Sequence, residues 1–556
     1  MARSSRSSSS SSGNRLISII SAFLVFVVLA GSVVAVFTLP QLYWVRDRIC
    51  KVTHFKTFCQ QVLDIQTVQV GLDTPMYVGL SDGNFAFDQY DTDSQYKQKA
   101  MTDYKAGNID AAIQDWTQAI DTTTDDAEAM IYLENERVAA SHQRYVTIIV
   151  ATTLSISDVT NDRKTSLSVG RDDLRGVYLA QKDFNAKSLT LKVRIVLANL
   201  GVKDQDHLEQ AIPPVLNLIQ RLADTDNTII GVIGFPFSAA AKLAIPTLTA
   251  ENIPLISPSA SSIELSSLYF FRVAPPDSEQ GQDAAQFASQ VLNAQHVLVL
   301  SDPTNSYSKS LGTSFANGFR KINANEVADT RPFTLHNLNS LDAPMQPILS
   351  QNPPINMVFV AGYADDVDNV KTWLANHNTT AIVMGGDAAY ELGGYPQGQN
   401  YKNIFFSAFT YPDTWSLLCP NHSDCASLEP PMLNPDKYKQ TFDPNNQHPG
   451  EYSYSRSGPH VFLSYDATQA FLEAAMSALP AANGNSIPRQ AIRDALQHDA
   501  PFQGASGQIS FSGSNPVDKT VVMLCVDSEH RTHLIHVYGK FAPGAKDFQD
   551  ATSVCL

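Results

Sequence analysis

The chain has no long cluster of lysine and arginine. Acidic residues outnumber basic ones 55 to 39, a formal net charge of −16. That balance excludes the basic patches that nucleic acids and anionic membrane surfaces require, so no nucleic-acid partner is expected. No Gly-x-x-x-x-Gly-Lys segment is present, which excludes a P-loop nucleotide site, and no cofactor is expected. None of the six cysteines forms a Cys-x-x-Cys knuckle, so zinc is a poor reading and no metal is expected. No lipobox-like pattern precedes the first cysteine, where Arg48 and Ile49 lead into Cys50.

The cysteines instead fall into sequence-near pairs. Disulfides 50–59, 419–425 and 525–555 are the simplest outcome outside the cytoplasm, and six free thiols are the alternative. The 24 residues 16–39 carry no charge, between Arg15 and Pro40. As a helix rising about 1.5 Å per residue they span a hydrocarbon core of roughly 30 Å. A cleaved signal peptide competes, but its apolar region is usually only about 7–15 residues long and ends in a small-residue site. The expectation is a single-pass anchor behind a polar tail, 1–15, with an extracytoplasmic body. Flanking charges give no orientation, because Arg3, Arg6 and Arg15 balance Arg46, Arg48 and Lys51.

Residues 40–95 show turn signals without a sustained period and read as an irregular linker. Over 96–142 the pattern is helical, with Gly107-Asn108 as a turn and a third helix from Asp126. Small residues (Ala100, Ala112, Ala119) alternate with Tyr104, Trp116 and Tyr132. The order resembles a tetratricopeptide repeat, but only about one and a half repeats are present where arrays need about three. This unit is expected to lean on its neighbour or on a partner; a plain helical spacer is the competing reading.

From Tyr145 short apolar runs alternate with amphipathic stretches. Strands are expected at 146–151, 192–198, 228–233, 254–256, 270–273, 296–300, 356–360, 381–384, 403–407, 520–526 and 533–538. Helices are expected near 171–185, 207–223, 239–251, 278–293, 308–322, 343–350, 364–376, 461–479 and 488–498. This alternation predicts α/β architecture with parallel sheets covered by helices. Some 400 residues are too many for one open sheet, so two lobes are expected, with ligands at the carboxyl ends of the strands.

Two segments stand out. Gly231 to Ser238 reads as a strand, a Gly-containing loop and a serine opening a helix, where free amides and the helix dipole attract an anion. Taken alone, Ser238 is more commonly an ordinary helix cap. Ile256-Ser257-Pro258-Ser259-Ala260-Ser261-Ser262 repeats the arrangement one strand–helix unit on. With these segments, Phe271-Arg272-Val273-Ala274-Pro275, Asp277, Gln280-Gly281, Asp302, Tyr307, Gly362-Tyr363, Gly385-Gly386-Asp387 and 504–511 follow in order. Over about 145–545 this ordered set resembles the type I periplasmic solute-binding proteins, in their leucine/isoleucine/valine-binding branch.

The resemblance implies two doubly wound lobes over 143–546: lobe 1 at about 143–272 and 411–505, lobe 2 at about 275–407 and 508–546. They would be joined by three crossovers, near 273–275, 408–411 and 504–508, and would close about a hinge on a small ligand. It implies that Ser238, Ala260 and Ser261 hold the ligand's carboxylate, Tyr307 and Tyr363 cover it, and Asp387 faces its ammonium. The chemistry is coherent: a zwitterion needs donors at one pole and a carboxylate at the other. Each residue also has a bland reading, with Tyr as core packing and Asp after Gly-Gly as a turn former. One departure concerns Thr152-Thr153-Leu154-Ser155 and the polar loop expected through Ser168, where the family places a side-chain wall. Branched aliphatic ligands therefore do not follow. The stretch 417–454 lies outside the family pattern.

Three catalytic patterns fail. Gly79-x-Ser81-x-Gly83 lacks the following helix of a nucleophile elbow, and Ser306-x-x-Lys309 lacks its companion motifs. His530, His533 and His536 do not converge if the last two lie on a strand. The expected function is ligand capture without catalysis, serving an ABC-type permease. A sensor or scaffold whose helical unit docks a signalling partner is the alternative, and a hydrolase using the cleft is less favoured.

Overall fold

The computed structural model describes residues 65–70, 74–155, 161–201, 208–322, 327–390, 404–420, 425–482, 486–529, 531–549 and 552–555. The tail, the apolar run 16–39, Cys50, Cys59 and His530 lie outside the described residues. Among the described residues no helix is long and apolar enough to cross a membrane.

The expected irregular linker, 40–95, instead supplies two strands, β1 (Ile65–Val70) and β2 (Thr74–Ser81), paired antiparallel. β2 joins β4 (Lys192–Asn199) with Gly79 opposite Asn199. Edge strands of this kind are held by main-chain bonds to a remote partner and need no sustained apolar pattern of their own. Inward from that edge the sheet continues through β3 (Tyr145–Thr152), β5 (Ile229–Gly234), β6 (Leu255–Ser257) and β7 (Phe270–Arg272), in the order β1-β2-β4-β3-β5-β6-β7. Strands β3 to β7 are mutually parallel. Their apolar runs are buried almost throughout, as strands covered by helices on both faces must be.

Helices α1 (Ser94–Ala106), α2 (Ile109–Thr122) and α3 (Ala127–Ser141) stand where the helical pattern predicts. Gly107 ends α1 at φ 80°, the left-handed cap that a residue with a Cβ adopts only at a cost. Asp126 opens α3 by accepting the N–H of Ala129 at 3.0 Å. Trp116 is buried between Tyr104 and Tyr132, at ring separations of 5.4 and 5.7 Å. α3 also docks on the sheet. Asn135 donates to the carbonyl of Ile195 at 2.7 Å and accepts its N–H at 2.9 Å, standing in for a strand neighbour of β4. Buried Lys97 is shared by Asp126 at 2.8 Å and Glu128 at 3.4 Å. The helical unit and the first sheet thus share one core.

Three helices follow the strands of this lobe: α4 (Asn161–Lys187), α5 (Leu208–Thr225) and α6 (Ser238–Ala250). α4 begins ten residues before the expected helix, so Ser168 lies within a helix rather than a loop. The second lobe holds α7 (Asp277–Gln290), β8 (His296–Ser301), α8 (Ser306–Ile322), β9 (Val327–Pro332), β10 (Met357–Ala361), α9 (Ala364–Asn376), β11 (Ile382–Gly385) and β12 (Ile404–Ala408). The chain then returns to the first lobe through α10 (Pro459–Ala478) and α11 (Arg489–His498). α10 crosses α4 so closely that a Cβ on Gly176 would lie 2.2 Å from the carbonyl of Val461.

The third crossover differs from expectation. At 504–508 the chain turns in a hairpin, β13 (Phe502–Gly504) with β14 (Gly507–Ile509). β15 (Phe511–Ser512) and β16 (Asn515–Pro516) still pack on α11 and β7. Only at 517–520 does the chain pass to β17 (Val521–Val526) and β18 (Thr532–Tyr538), which complete the second sheet in the order β18-β17-β12-β11-β10-β8-β9. Buried Lys519 marks the passage, donating to Ser506 at 2.8 Å. Disulfides join Cys419 to Cys425 and Cys525 to Cys555, as two of the expected pairs.

Candidate functional site

The carboxyl ends of the parallel strands of the two sheets converge on one cavity, whose wall includes Ser238, Ser261, Tyr307, Tyr363 and Asp387. Its volume is about 70 Å³. One water needs roughly 10–15 Å³ on that measure, so the cavity takes a guest of several heavy atoms.

The first lobe builds its wall from two loops stitched together by serine hydroxyls. After β5 the backbone turns sharply at Gly234, φ 129°, where a Cβ would lie 2.0 Å from the carbonyl of Ala151. Ser238 then opens α6, and its hydroxyl accepts the N–H of Ser262 at 3.2 Å. Ser257 and Ser259 donate to the carbonyls of Phe235 and Pro236 at 3.1 and 3.0 Å. Beneath the second loop, buried Arg272 donates to the carbonyls of Ser262 and Leu265. Ala260 is the one expected site residue that does not reach the cavity. Its N–H already binds the Ser257 hydroxyl at 3.1 Å, so it offers a guest no donor. The buried Ser261 hydroxyl lies beside the Asp277 carboxyl, and its carbonyl accepts the N–H of Asp277 at 2.8 Å.

The second lobe presents a carboxylate. Asp387 follows Gly385-Gly386 after β11. Its Oδ1 accepts from Gln280 and from the Tyr307 hydroxyl, both at 2.9 Å. Gly386 makes that approach possible: a Cβ there would lie 2.5 Å from the Tyr307 hydroxyl and 2.4 Å from Leu311. Burial pushes the Asp387 carboxyl up to about 6, against the pull of the Gln280 and Tyr307 hydrogen bonds. Tyr363 lies 5.8 Å from the Tyr307 ring and stacks on His336 at 5.2 Å.

The rest of the wall was not singled out from sequence. Ser168, Val169 and Asp172 come from α4; Tyr390 follows Asp387; Tyr452, Gly458, Pro459 and His460 precede or open α10. The Tyr390 and Tyr452 hydroxyls lie 3.3 Å apart. Burial holds the His460 imidazole down at about 4, so it is neutral at pH 7. Gly-Pro before a predicted helix was a legible start signal for α10. Nothing in the aperiodic stretch 417–454 pointed to Tyr452.

The rejected catalytic patterns have structural roles. Buried Ser81 accepts the N–H groups of Gly83 and Phe85, closing a turn. Lys309 pairs with Glu264 at 2.9 Å. His533 pairs with Asp527 at 2.8 Å, while His536 meets the Tyr538 ring edge-on at 4.4 Å.

Two α/β lobes meeting at a small cavity lined by both apolar and polar side chains define a solute-binding protein of the two-lobed kind. Residues 164–523, more than half of the chain, match the family model described as periplasmic binding protein, and the chain belongs to that family. It is 29% identical over 163 residues to the leucine-specific-binding protein of Salmonella typhimurium, covering 28% of this chain and 41% of that one. The chain therefore spans well under half the length of this curated relative. Its fold is similar to a leucine-binding protein of Thermotoga maritima, with 20% identity, TM-score 0.54, and coverage of 71% of this chain and 99% of the other. It is also similar to a branched-chain amino acid transporter substrate-binding protein of Streptococcus pneumoniae solved with isoleucine, with 18% identity, TM-score 0.52, and coverage of 71% and 99%.

Proposed function

We propose that the protein is an extracytoplasmic receptor for an amino acid or similar small zwitterion, held in the interlobe cavity by hinge closure and released to an ABC-type permease. One observation carries this reading. Hydroxyls of Ser238 and Ser261 stand on the first lobe's wall of the cavity where Asp387 stands on the second. The serines receive the carboxylate, Asp387 receives the ammonium, and Tyr307 and Tyr363 cover the guest. Charge-assisted hydrogen bonds at both poles suit a dipolar guest better than either pole alone. No bond is made or broken in this reading, so the protein is a carrier and not an enzyme. The names of the relatives, leucine- and branched-chain-binding proteins, support the class of guest. The apolar run 16–39 tethers the receptor to the membrane in this account.

A sensor role is a second reading, favoured by the attachment of α1–α3 to the first lobe's core, which would carry lobe movement to a partner docked there. The test of the main reading is a thermal-shift screen of the full chain against amino acids and small carboxylates. A guest that binds only the folded state raises the melting temperature by mass action. At least one amino acid should do so, and the shift should shrink in Ser238→Ala and vanish in Asp387→Ala. A melt unchanged by every compound sinks the reading.

A further inference from the structure

We propose that the cavity selects an amino acid whose side chain ends in a cation, and that Asp172 receives that cation. The inference rests on the zwitterion reading above and concerns the part of the same cavity that the zwitterion's two poles leave over.

The wall of the cavity is mixed: beside Val169, Phe237 and Pro459 it carries the polar side chains of Ser168, Asp172, Tyr452 and His460. No lysine or arginine lines the cavity among the described residues, while two carboxylates, Asp172 and Asp387, do. If Asp387 takes the α-ammonium, Asp172 remains. Its setting is short of positive charge. The single guanidinium of Arg175 is shared between Asp172, at 2.7 Å, and Asp125. Neighbouring Asp173 has only the Thr152 hydroxyl on Oδ2, at 2.8 Å; its Oδ1 lies 3.9 Å from the imidazole of His460 without a hydrogen bond. Arg171, one residue away, is spent on Asp88 and Asp91. Three carboxyl groups thus face one guanidinium and one imidazole that is neutral at pH 7. Burial accordingly pushes the carboxyls of both Asp172 and Asp173 up.

The backbone keeps Asp172 in this place. A Cβ on Gly458 would lie 2.0 Å from Asp172 Oδ2, so any other residue there would drive the carboxylate from the wall. A leucine-like side chain would lie against this carboxylate and strip its water without replacing it, which is unfavourable for a charged group. An ammonium or guanidinium supplies the missing charge through a charge-assisted hydrogen bond to Asp172.

The test is calorimetric titration of the full chain with L-lysine, L-arginine, L-norleucine, L-leucine and L-glutamine. Norleucine is lysine without its terminal ammonium. A site built for a charged group should favour lysine or arginine over norleucine by about 100-fold or more. Asp172→Asn should cut that preference about tenfold or more, by weakening lysine and arginine and by relieving norleucine of the buried carboxylate. Norleucine, leucine or glutamine binding as tightly as both cationic amino acids overturns the proposal, as does an unchanged preference in folded Asp172→Asn. Should that variant not fold, the wild-type ratio decides alone. Binding of none of the five defeats this inference, and the zwitterion reading then stands or falls on the wider thermal-shift screen. Binding of several without cationic preference defeats this inference only.

Discussion

On the first lobe's wall, Ser238 and Ser261 offer hydroxyls that stay uncharged at any working pH, in loops tied to each other and to Arg272. On the second lobe's wall, Asp387 offers a carboxyl that must ionise before it attracts a cation, with only the neutral donors Gln280 and Tyr307 to help. Both walls are set in place by the protein before a guest arrives. They differ in kind: on one side hydroxyls in loops held by side-chain-to-main-chain hydrogen bonds, and on the other a carboxyl whose charge is disfavoured by burial. For a guest whose side chain carries no cation, such as norleucine, binding should therefore be sensitive to pH through the second lobe and insensitive through the first.

The largest break in that asymmetry is Asp387→Asn. It leaves the guest's ammonium facing a neutral amide, and breaking a buried charge pair costs about 3–5 kcal/mol, more than 100-fold in Kd. Titration calorimetry reads the loss; a change under tenfold would place the ammonium elsewhere. The next is the pH profile. With the Asp387 carboxyl pushed up to about 6, only its ionised form binds a cation. The Kd should rise about tenfold per pH unit below about pH 6 and stay flat above it up to the ammonium's own titration. Stability of the empty protein runs the other way. Because the folded value is raised, the stability this carboxyl contributes is complete below its unfolded value of about 4 and is lost as pH rises through about 6. Asp277, pushed up to about 7 by burial, adds to that trend. The profile must accordingly be read from Kd rather than from melting temperature. The smallest effect is Ser238→Ala, which removes one hydroxyl from the guest and orphans the Ser262 N–H. A loss of about 1 kcal/mol, five- to tenfold in Kd, is expected, with the pH profile unchanged.

The same contrast runs through what the sequence disclosed. Strands β3, β5, β10, β12 and β17 were legible because strands covered on both faces are written as unbroken apolar runs. The serine loops and Gly385-Gly386-Asp387 were legible as strand ends followed by turn chemistry. The edge strands β1 and β9, and β2 beside the first of them, were not. β9 has five of its six side chains exposed or half-buried, so no apolar period marks it. Ala260 was misplaced because spacing identifies a loop but not which of its N–H groups a neighbouring hydroxyl has already taken. Asp172, Tyr452 and His460 reach the cavity only through the crossing of α10 on α4, a contact between segments almost 300 residues apart that no local pattern encodes.

The most direct measurement compares L-lysine with its methyl ester, which lacks the carboxylate, and with Nα-acetyl-lysine, which lacks the α-ammonium, by titration of the wild-type chain. If both walls grip one dipolar guest, either cap should weaken binding by about 100-fold or more, since each leaves a desolvated group of the site without its charged partner. Equal affinity for lysine and either capped form would contradict the account.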